Sequence, residues 1–167
     1  KNPDLPNKDK VAEDVGIGAI IYADLDSRRT RDVVFDWEEI LNFTGDSGPY
    51  IQYTHARYCS VLRKFGKTTP PPDADLTLLS EPEALAAVKC IEDFSKKLEQ
   101  AAENDEPSLI ATYLIELCTV ANRFYNACRV VSEDEALTRS RVTLVYAIKV
   151  VLKNGLGLLG INAPEEM

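Results

Sequence analysis

Apolar side chains recur every three or four residues over much of the second half of the chain, and this spacing limits the fold more than any other feature. The longest example runs from Ile110 to Val131 and includes Leu114, Leu117 and Phe124. Such a stripe covers one face of an α-helix and must be buried against a neighbour. No run of useful length alternates with the period of two that a half-buried strand shows. The sequence therefore predicts an all-α fold, a helical bundle of five or six helices with short loops.

The first part of the chain predicts one long helix and one short helix. Residues 9–25 have helical spacing, and Gly16 and Gly18 indicate that a neighbouring element approaches closely there. Residues 26–35 predict a polar connection followed by a short extended piece. A short helix then begins behind Asp36, whose side chain can cap it as part of a capping box, and ends near Asn42.

A third helix is predicted from Pro49 to about Phe65. Proline suits the first helical position behind Ser47 or Gly48, and Gly66 gives a stop. The proline-rich residues 68–74 cannot be helical. They form either a domain boundary or a stiff loop between two helices of one bundle. We favour the loop, because the flanking helices each need a partner for their apolar faces.

Three longer helices are predicted after this loop. The first covers residues 81–103 and opens with a capping box at Ser80, and the second covers residues 107–131. The third opens with a capping box at Ser132 and ends at Asn154-Gly155. A short apolar turn and a tail complete the chain, at residues 156–161 and 162–167.

The net charge of −8, taken alone, argues against nucleic-acid binding, because phosphate contacts need a basic surface. The charge is unevenly placed, however. Acids outnumber bases between Glu81 and Glu106, whereas residues 48–67 contain bases and no acid: Arg57, Arg63, Lys64 and Lys67. Local charge is the better guide. The basic stretch is either a solvated helix face or a surface that binds phosphate.

The sequence lacks the residues that most catalytic and metal sites require. His55 is the only histidine, which excludes a two-histidine metal site and an H-x-G-H nucleotide motif. No Walker or Rossmann glycine motif is present. Cys59, Cys90, Cys118 and Cys128 lack the C-x-x-C spacing of zinc sites, so we predict buried free thiols. A Cys59–His55 nucleophile pair is geometrically allowed on one helix, but no third orienting group accompanies it. We expect neither a catalytic residue nor a metal ligand.

The remaining sequence features concern the setting of the chain. No apolar run reaches the length of about 18 residues that a membrane-spanning helix needs. The opening Lys-Asn-Pro-Asp has neither an initiator methionine nor a signal-peptide pattern, so we expect residue 1 to be a cut inside a longer chain.

Three segments carry a resemblance to a known family. Residues 33–64 read VVFDWEEILNFTGDSGPYIQYTHARYCSVLRK, residues 113–131 read YLIELCTVANRFYNACRVV, and residues 141–167 read RVTLVYAIKVVLKNGLGLLGINAPEEM. Together they resemble the C-terminal part of arginyl-tRNA synthetases, and the string GDSGPYIQYTHAR is the most specific. The closing LGLLGINAPEEM is similar to the family's natural C-terminus. The segment VGIGAIIYADL at 15–25 is similar to the helix that leaves its catalytic domain.

The resemblance implies a role in protein synthesis. The family is a class I synthetase that joins arginine to its tRNA with ATP and magnesium. Its catalytic domain lies upstream, and the H-x-G-H-like and K-M-S-K-like motifs of that domain are absent here. The resemblance therefore implies a cytoplasmic chain that is inactive alone and has no cofactor of its own. Residues 1–47 would form connecting, stem-contacting helices, and residues 48–167 would form the α-helical anticodon-binding domain. The implied partners are arginine tRNA and the catalytic domain of the same chain, with no DNA and no membrane.

The resemblance also indicates RNA contacts. Tyr50, Tyr53 and Arg57 lie three and four residues apart and so share a face of the helix that the family uses near the anticodon. Tyrosine rings can stack on unpaired bases, and arginine can contact phosphates or base edges. Ordinary packing is the alternative for both tyrosines. Met167 matches another anticodon-loop contact, with a floating tail as the alternative. Further candidate contacts are Asp46, Tyr125, Lys149 and Lys153.

Three classes of function follow from these observations. An RNA-binding module predicts a basic, aromatic face on the 48–65 helix and the C-terminal tail, with the acidic helix 81–103 turned away. A helical protein-interaction bundle without RNA specificity would dock a partner on the 107–131 stripe or on the acidic face, and needs an exposed apolar patch on the order of several hundred Å². A helical-bundle enzyme or metal carrier needs inward-facing carboxylate and histidine ligands, which a single histidine does not provide.

Overall fold

The computed structural model describes residues 5–32, 34–66 and 69–167. Lys67, the last base of the stretch noted above, lies outside these ranges. All regular structure within them is helical, which confirms the predicted all-α class. The α-helices are α1 (Lys8–Leu25), α2 (Trp37–Ile40), α3 (Gly48–Phe65), α4 (Pro82–Glu92), α5 (Phe94–Glu103), α6 (Ser108–Ala127) and α7 (Glu135–Leu158).

The ends of α2 and α3 follow the predicted signals. The Asp36 carboxylate accepts hydrogen bonds from two backbone N–H groups in the first turn of α2, at 2.7 and 3.4 Å. The Ser47 hydroxyl oxygen accepts one from the backbone nitrogen of Tyr50 at 3.2 Å and caps α3. At the other end, Gly66 has the positive φ of 80° that suits a glycine stop. These boundaries are set by residues within one turn of the helix end.

Two predicted helix starts are wrong. The predicted capping box before α4 does not form, because the residue at the cap is Glu81 and its carboxylate pairs with Arg141 instead. The start of α7 is displaced from Ser132 to Asp134, whose carboxylate accepts a hydrogen bond from the backbone nitrogen of Leu137 at 3.0 Å. At α4 the carboxylate is used in an ion pair with a distant residue, and at α7 the cap is a residue two positions later than predicted.

Three predicted helix courses also differ from the structure. The helix predicted over 81–103 is interrupted at Asp93, so α4 and α5 form one broken helix and the bundle has six helices when they are counted together. α6 ends at Ala127 rather than at Val131, because the chain becomes extended at Cys128. α7 continues beyond the predicted stop at Gly155.

Gly155 lies inside α7 for a packing reason. A Cβ atom at this position would lie 2.5 Å from Cδ2 of Leu114 on α6. The glycine therefore permits close contact between the two helices and does not end one of them.

The hydrophobic core lies between α3, α4, α6 and α7, and its largest fully buried side chains include Tyr58, Tyr113, Phe124, Leu114 and Ile148. Each such side chain contributes about 1.5–3 kcal/mol by its removal from water. Leu79, from the loop between α3 and α4, packs in the same cluster. This loop also holds one turn of 3-10 helix, Leu76–Leu78. The prediction that this loop joins two helices of one bundle is therefore confirmed, while its stiffness stays a prediction.

α1 packs against α3 through glycines. A Cβ atom on Gly48 would lie 2.6 Å from the carbonyl oxygen of Gly18, and a Cβ on Gly18 would lie 2.7 Å from Nε2 of Gln52. The predicted close approach is confirmed at Gly18 and wrong at Gly16, which has nothing within 4 Å of such an atom. The contact crosses the predicted domain boundary at 47/48, and the division into two domains stays a prediction.

Candidate nucleic-acid interface

A cleft of about 1000 Å³ opens between α3, the residues that follow α6, and the end of the chain. Among the described residues that line it, Glu166 is the one acid. The other functional side chains on its walls are cations, rings and a thioether: Arg57, Arg63, Lys64, Arg129, Tyr53, Tyr125 and Met167. None of the lining residues comes from α4 or α5, where the acids are concentrated. In a chain with a net charge of −8, this cleft is locally basic.

Arg57 lies against two aromatic rings in this cleft. Its guanidinium carbon is 4.9 Å from the centroid of the Tyr53 ring and 5.4 Å from that of the Tyr125 ring. The electron-rich face of a tyrosine ring attracts a cation at this distance. The structure therefore brings together two of the three predicted residues on the α3 face and adds the candidate contact Tyr125 from α6.

Tyr50, the third residue predicted on that face, does not line the cleft. Its half-buried ring packs against the hydrophobic core. Its hydroxyl oxygen accepts a hydrogen bond from Nδ2 of Asn122 at 2.9 Å. The oxygen of the same amide accepts a hydrogen bond from Arg57 at 2.8 Å. Tyr50 is thus connected to the cleft through Asn122.

The C-terminal residues are held against α3, so Met167 does not float. Three side chains of α3 donate hydrogen bonds to backbone carbonyl oxygens of residues 162–165, at 2.8, 2.9 and 3.1 Å. These side chains are Gln52, His55 and Arg63. The half-buried Met167 is thereby placed in the cleft wall.

The Cys59–His55 pair is part of this anchoring and not a nucleophile site. The Cys59 sulfur lies 3.7 Å from Nε2 of His55. Burial lowers the pKa of His55 and raises the pKa of the Cys59 thiol, so both groups favour their neutral forms. The other ring nitrogen of His55 is bonded to the Pro164 carbonyl. All four cysteines are buried free thiols, as predicted.

Three further candidate contacts lie outside the cleft. Asp46 is exposed in the loop before α3 and lines a separate cavity. Lys149 on α7 makes a 3.8 Å ion pair with Glu165 in the tail. Lys153, one turn further along α7, is exposed.

Arg63 and Lys64 belong to the basic stretch noted in the sequence but were not among the individual candidate contacts, and Arg129 was not predicted, although all three line the cleft. The spacing of Lys64 was a usable signal, because it follows Arg57 by seven residues and so lies on the same helix face. Arg129 lies beyond the end of α6, where no helical period applies. Its position depends on Arg141 of α7, which donates a hydrogen bond to the Arg129 carbonyl oxygen at 2.7 Å.

The apolar stripe of 107–131 is not a docking surface. Leu114, Leu117 and Phe124 are fully buried against the other helices. A partner protein would have to bind elsewhere, such as the acidic face of 81–103. No helix in the described ranges is long and apolar enough to cross a membrane. Within those same ranges, no three His, Cys, Asp or Glu side chains are grouped so as to hold a metal ion.

Residues 51–167 match the family model described as the DALR anticodon binding domain. The chain belongs to this family. Residues 1–37 match a second model, described as the catalytic domain of class I tRNA synthetases (R). The DALR match begins at Ile51, in the first turn of α3, and runs to Met167, so it includes every described residue that lines the cleft.

Similar full-length proteins are arginine–tRNA ligases. That of Levilactobacillus brevis is 45% identical over 167 residues, which is 100% of this chain and 29% of that protein. That of Halothermothrix orenii is 42% identical over the same shares. The solved Thermus thermophilus arginyl-tRNA synthetase is 36% identical, with a TM-score of 0.92 over 99% of this chain and 29% of that one. The resemblance to arginyl-tRNA synthetases is confirmed, and the chain spans about 29% of the length of these relatives.

Proposed function

We propose that this DALR domain binds the anticodon arm of arginine tRNA in the cleft between α3, the end of α6 and the tail. One observation carries the proposal: four cations and the rings of Tyr53 and Tyr125 meet in a single cleft of an acidic chain. Base stacking on tyrosine and phosphate contact with arginine and lysine are the two interactions that hold unpaired RNA. The cleft offers both, with Tyr53 and Tyr125 as rings and Arg129 among its cations.

The relatives support a proposal for the whole protein. We infer that the chain is the C-terminal, tRNA-positioning part of an arginine–tRNA ligase, which joins arginine to its tRNA in the cytoplasm. ATP and magnesium would act in the catalytic domain of the same chain, and the part described here would be inactive alone. Residues 1–47 would connect that domain to the anticodon-binding residues 48–167.

The proposed anticodon contacts fall into three groups: residues that line the cleft, a residue bonded to one next to it, and residues outside it. Tyr53, Arg57 and Met167 line the cleft, as does Tyr125. Tyr50 would act through its bond to Asn122. Asp46, Lys149 and Lys153 lie outside the cleft. The tRNA backbone would contact them only where it extends beyond the anticodon loop.

The proposal is tested by removing one cation at a time from the full-length polypeptide. Arg129→Ala leaves the backbone bond to Arg141 in place, since that bond uses the Arg129 carbonyl. It should weaken binding of arginine tRNA about fivefold, which corresponds to about 1 kcal/mol for one charged contact. The slope of log affinity against log salt should fall by about one.

The matched control is Lys96→Ala, which removes an exposed cation from α5, outside the cleft. It should leave both the affinity and the salt slope unchanged. Equal losses in the two variants would mean that the RNA responds to overall charge and not to the cleft. No loss in either variant would favour a protein-interaction bundle without RNA specificity.

A further inference from the structure

Asn122 lies on α6 between the core and the cleft and is half-buried. It does not line the cleft itself. Its side-chain amide spans two residues of α3, because Oδ1 accepts a hydrogen bond from Arg57 at 2.8 Å and Nδ2 donates one to the Tyr50 hydroxyl oxygen at 2.9 Å. The amide therefore connects a residue packed on the core to a residue in the cleft.

The chemistry of the partners fixes the orientation of this amide. A guanidinium only donates hydrogen bonds, so the amide oxygen must face Arg57. The amide nitrogen then faces Tyr50, whose hydroxyl oxygen can accept. The two contacts agree on one orientation, because a half turn of the amide would place its nitrogen against the guanidinium and break the bond to Arg57.

The bond to Asn122 removes much of the freedom of Arg57. A long arginine side chain adopts many rotamers when exposed, and ordering it on binding costs affinity. Here the guanidinium is tied at Nη1 to Asn122 and lies over the rings of Tyr53 and Tyr125. A guanidinium has five N–H donors, and this bond occupies one of them. Within the described residues this is the one hydrogen bond that the guanidinium makes, so its other donors can meet acceptors on a base edge or a phosphate.

We infer that Asn122 is a positioning residue that sets the orientation of Arg57 for RNA, without contacting the RNA itself. This inference rests on the proposed function and deepens it. Asn122 is a specificity element of the cleft that acts through its neighbour, and Tyr50 is the anchor that holds it. The Tyr50 hydroxyl then matters to RNA binding although its ring packs against the core and not in the cleft.

A double-mutant cycle in the full-length polypeptide tests this inference, with an arginine tRNA transcript as the probe. Asn122→Ala should weaken binding about five- to tenfold when Arg57 is present. In the Arg57→Ala background the same change should cost less than about twofold, because its route of action is gone. An equal loss in both backgrounds would overturn the inference, since that is the behaviour of a residue that only supports the fold.

A second variant covers the case in which Asn122→Ala does not fold. Tyr50→Phe keeps the half-buried ring and deletes only the hydroxyl that anchors Asn122. It should weaken binding about twofold, and only when Arg57 is present. A loss that persists in the Arg57→Ala background would overturn the inference.

Failure of the inference and failure of the proposed function give different results. If Arg57→Ala and Arg129→Ala weaken tRNA binding but Asn122→Ala does not, the cleft binds RNA and the positioning role is wrong. If neither arginine variant changes the affinity, the cleft is not the RNA site, and both the inference and the proposed function are overturned.

Discussion

His55 donates a hydrogen bond from Nδ1 to the carbonyl oxygen of Pro164 at 2.9 Å, and so joins the middle of α3 to the end of the chain. The ring is fully buried, and this bond satisfies the nitrogen that carries the proton. Because Met167 follows three residues later, the bond also fixes one wall of the cleft.

The His55 bond predicts a pH dependence of stability. Burial is the main reason that the pKa of His55 lies below its usual 6.5, and the charge of Lys149 adds to the effect. The unfolded chain therefore binds this proton at a higher pH than the folded chain. The contribution to the free energy of unfolding is complete above about pH 6.5 and is lost as the pH falls below it.

Urea unfolding at pH 7 and pH 5.5 checks this prediction. His55→Asn keeps a donor near the position of Nδ1 but does not titrate. Between the two pH values the original protein should lose up to about 1 kcal/mol more stability than the variant. Parallel losses would show that His55 has the same pKa in both states.

The backbone contact between α1 and α3 predicts opposite effects for two glycine substitutions. Gly48→Ala places a Cβ 2.6 Å from the carbonyl oxygen of Gly18, and a backbone atom cannot move aside cheaply. We expect a loss of about 1–3 kcal/mol, which is typical of overpacking. Gly16→Ala meets nothing within 4 Å and should add about 0.5–1 kcal/mol through its higher helix propensity. Thermal unfolding of both variants measures the difference, and two changes of the same sign would contradict the contact.

Local signals in the sequence predicted the features that depend on neighbouring residues. Ser47 caps the start of α3 and Gly66 caps its end, as expected, since a cap needs only the adjacent turn. The stop predicted at Gly155 was wrong because the reason for that glycine is Leu114, on another helix. The cap predicted before α4 was wrong because Glu81 pairs with a residue 60 positions away.

The candidate site likewise combines features set by local spacing with features set by contacts between distant residues. Tyr53 and Arg57 share a face at helical spacing, and they line one cleft. No local pattern singles out Asn122, because its role depends on a bond to Arg57 that only the tertiary structure shows. Arg129 could not be selected, because no helical period extends beyond Ala127.

The pairing of Glu81 with Arg141 predicts a cost for removing the acid. The Arg141 side chain is 11% exposed and also donates to the Arg129 carbonyl oxygen at 2.7 Å. Glu81→Ala would leave a largely buried cation without its carboxylate, so the free energy of unfolding should fall by about 2 kcal/mol. The control, Glu99→Ala, removes an exposed acid from α5 and should change stability by less than about 0.5 kcal/mol. Chemical denaturation compares the two, and equal effects would mean that the pair adds nothing.

We propose that this domain recognises an anticodon and does not simply attract phosphate. The most direct test measures the affinity of the full-length polypeptide for arginine tRNA and for the same tRNA with a changed anticodon, at low and at moderate salt. We expect a preference for the arginine anticodon of about tenfold or more at both salt concentrations, because a lost base contact costs about 1–3 kcal/mol. Equal affinities for the two tRNAs that fall together as salt rises would contradict the account, since phosphate contact alone behaves in that way.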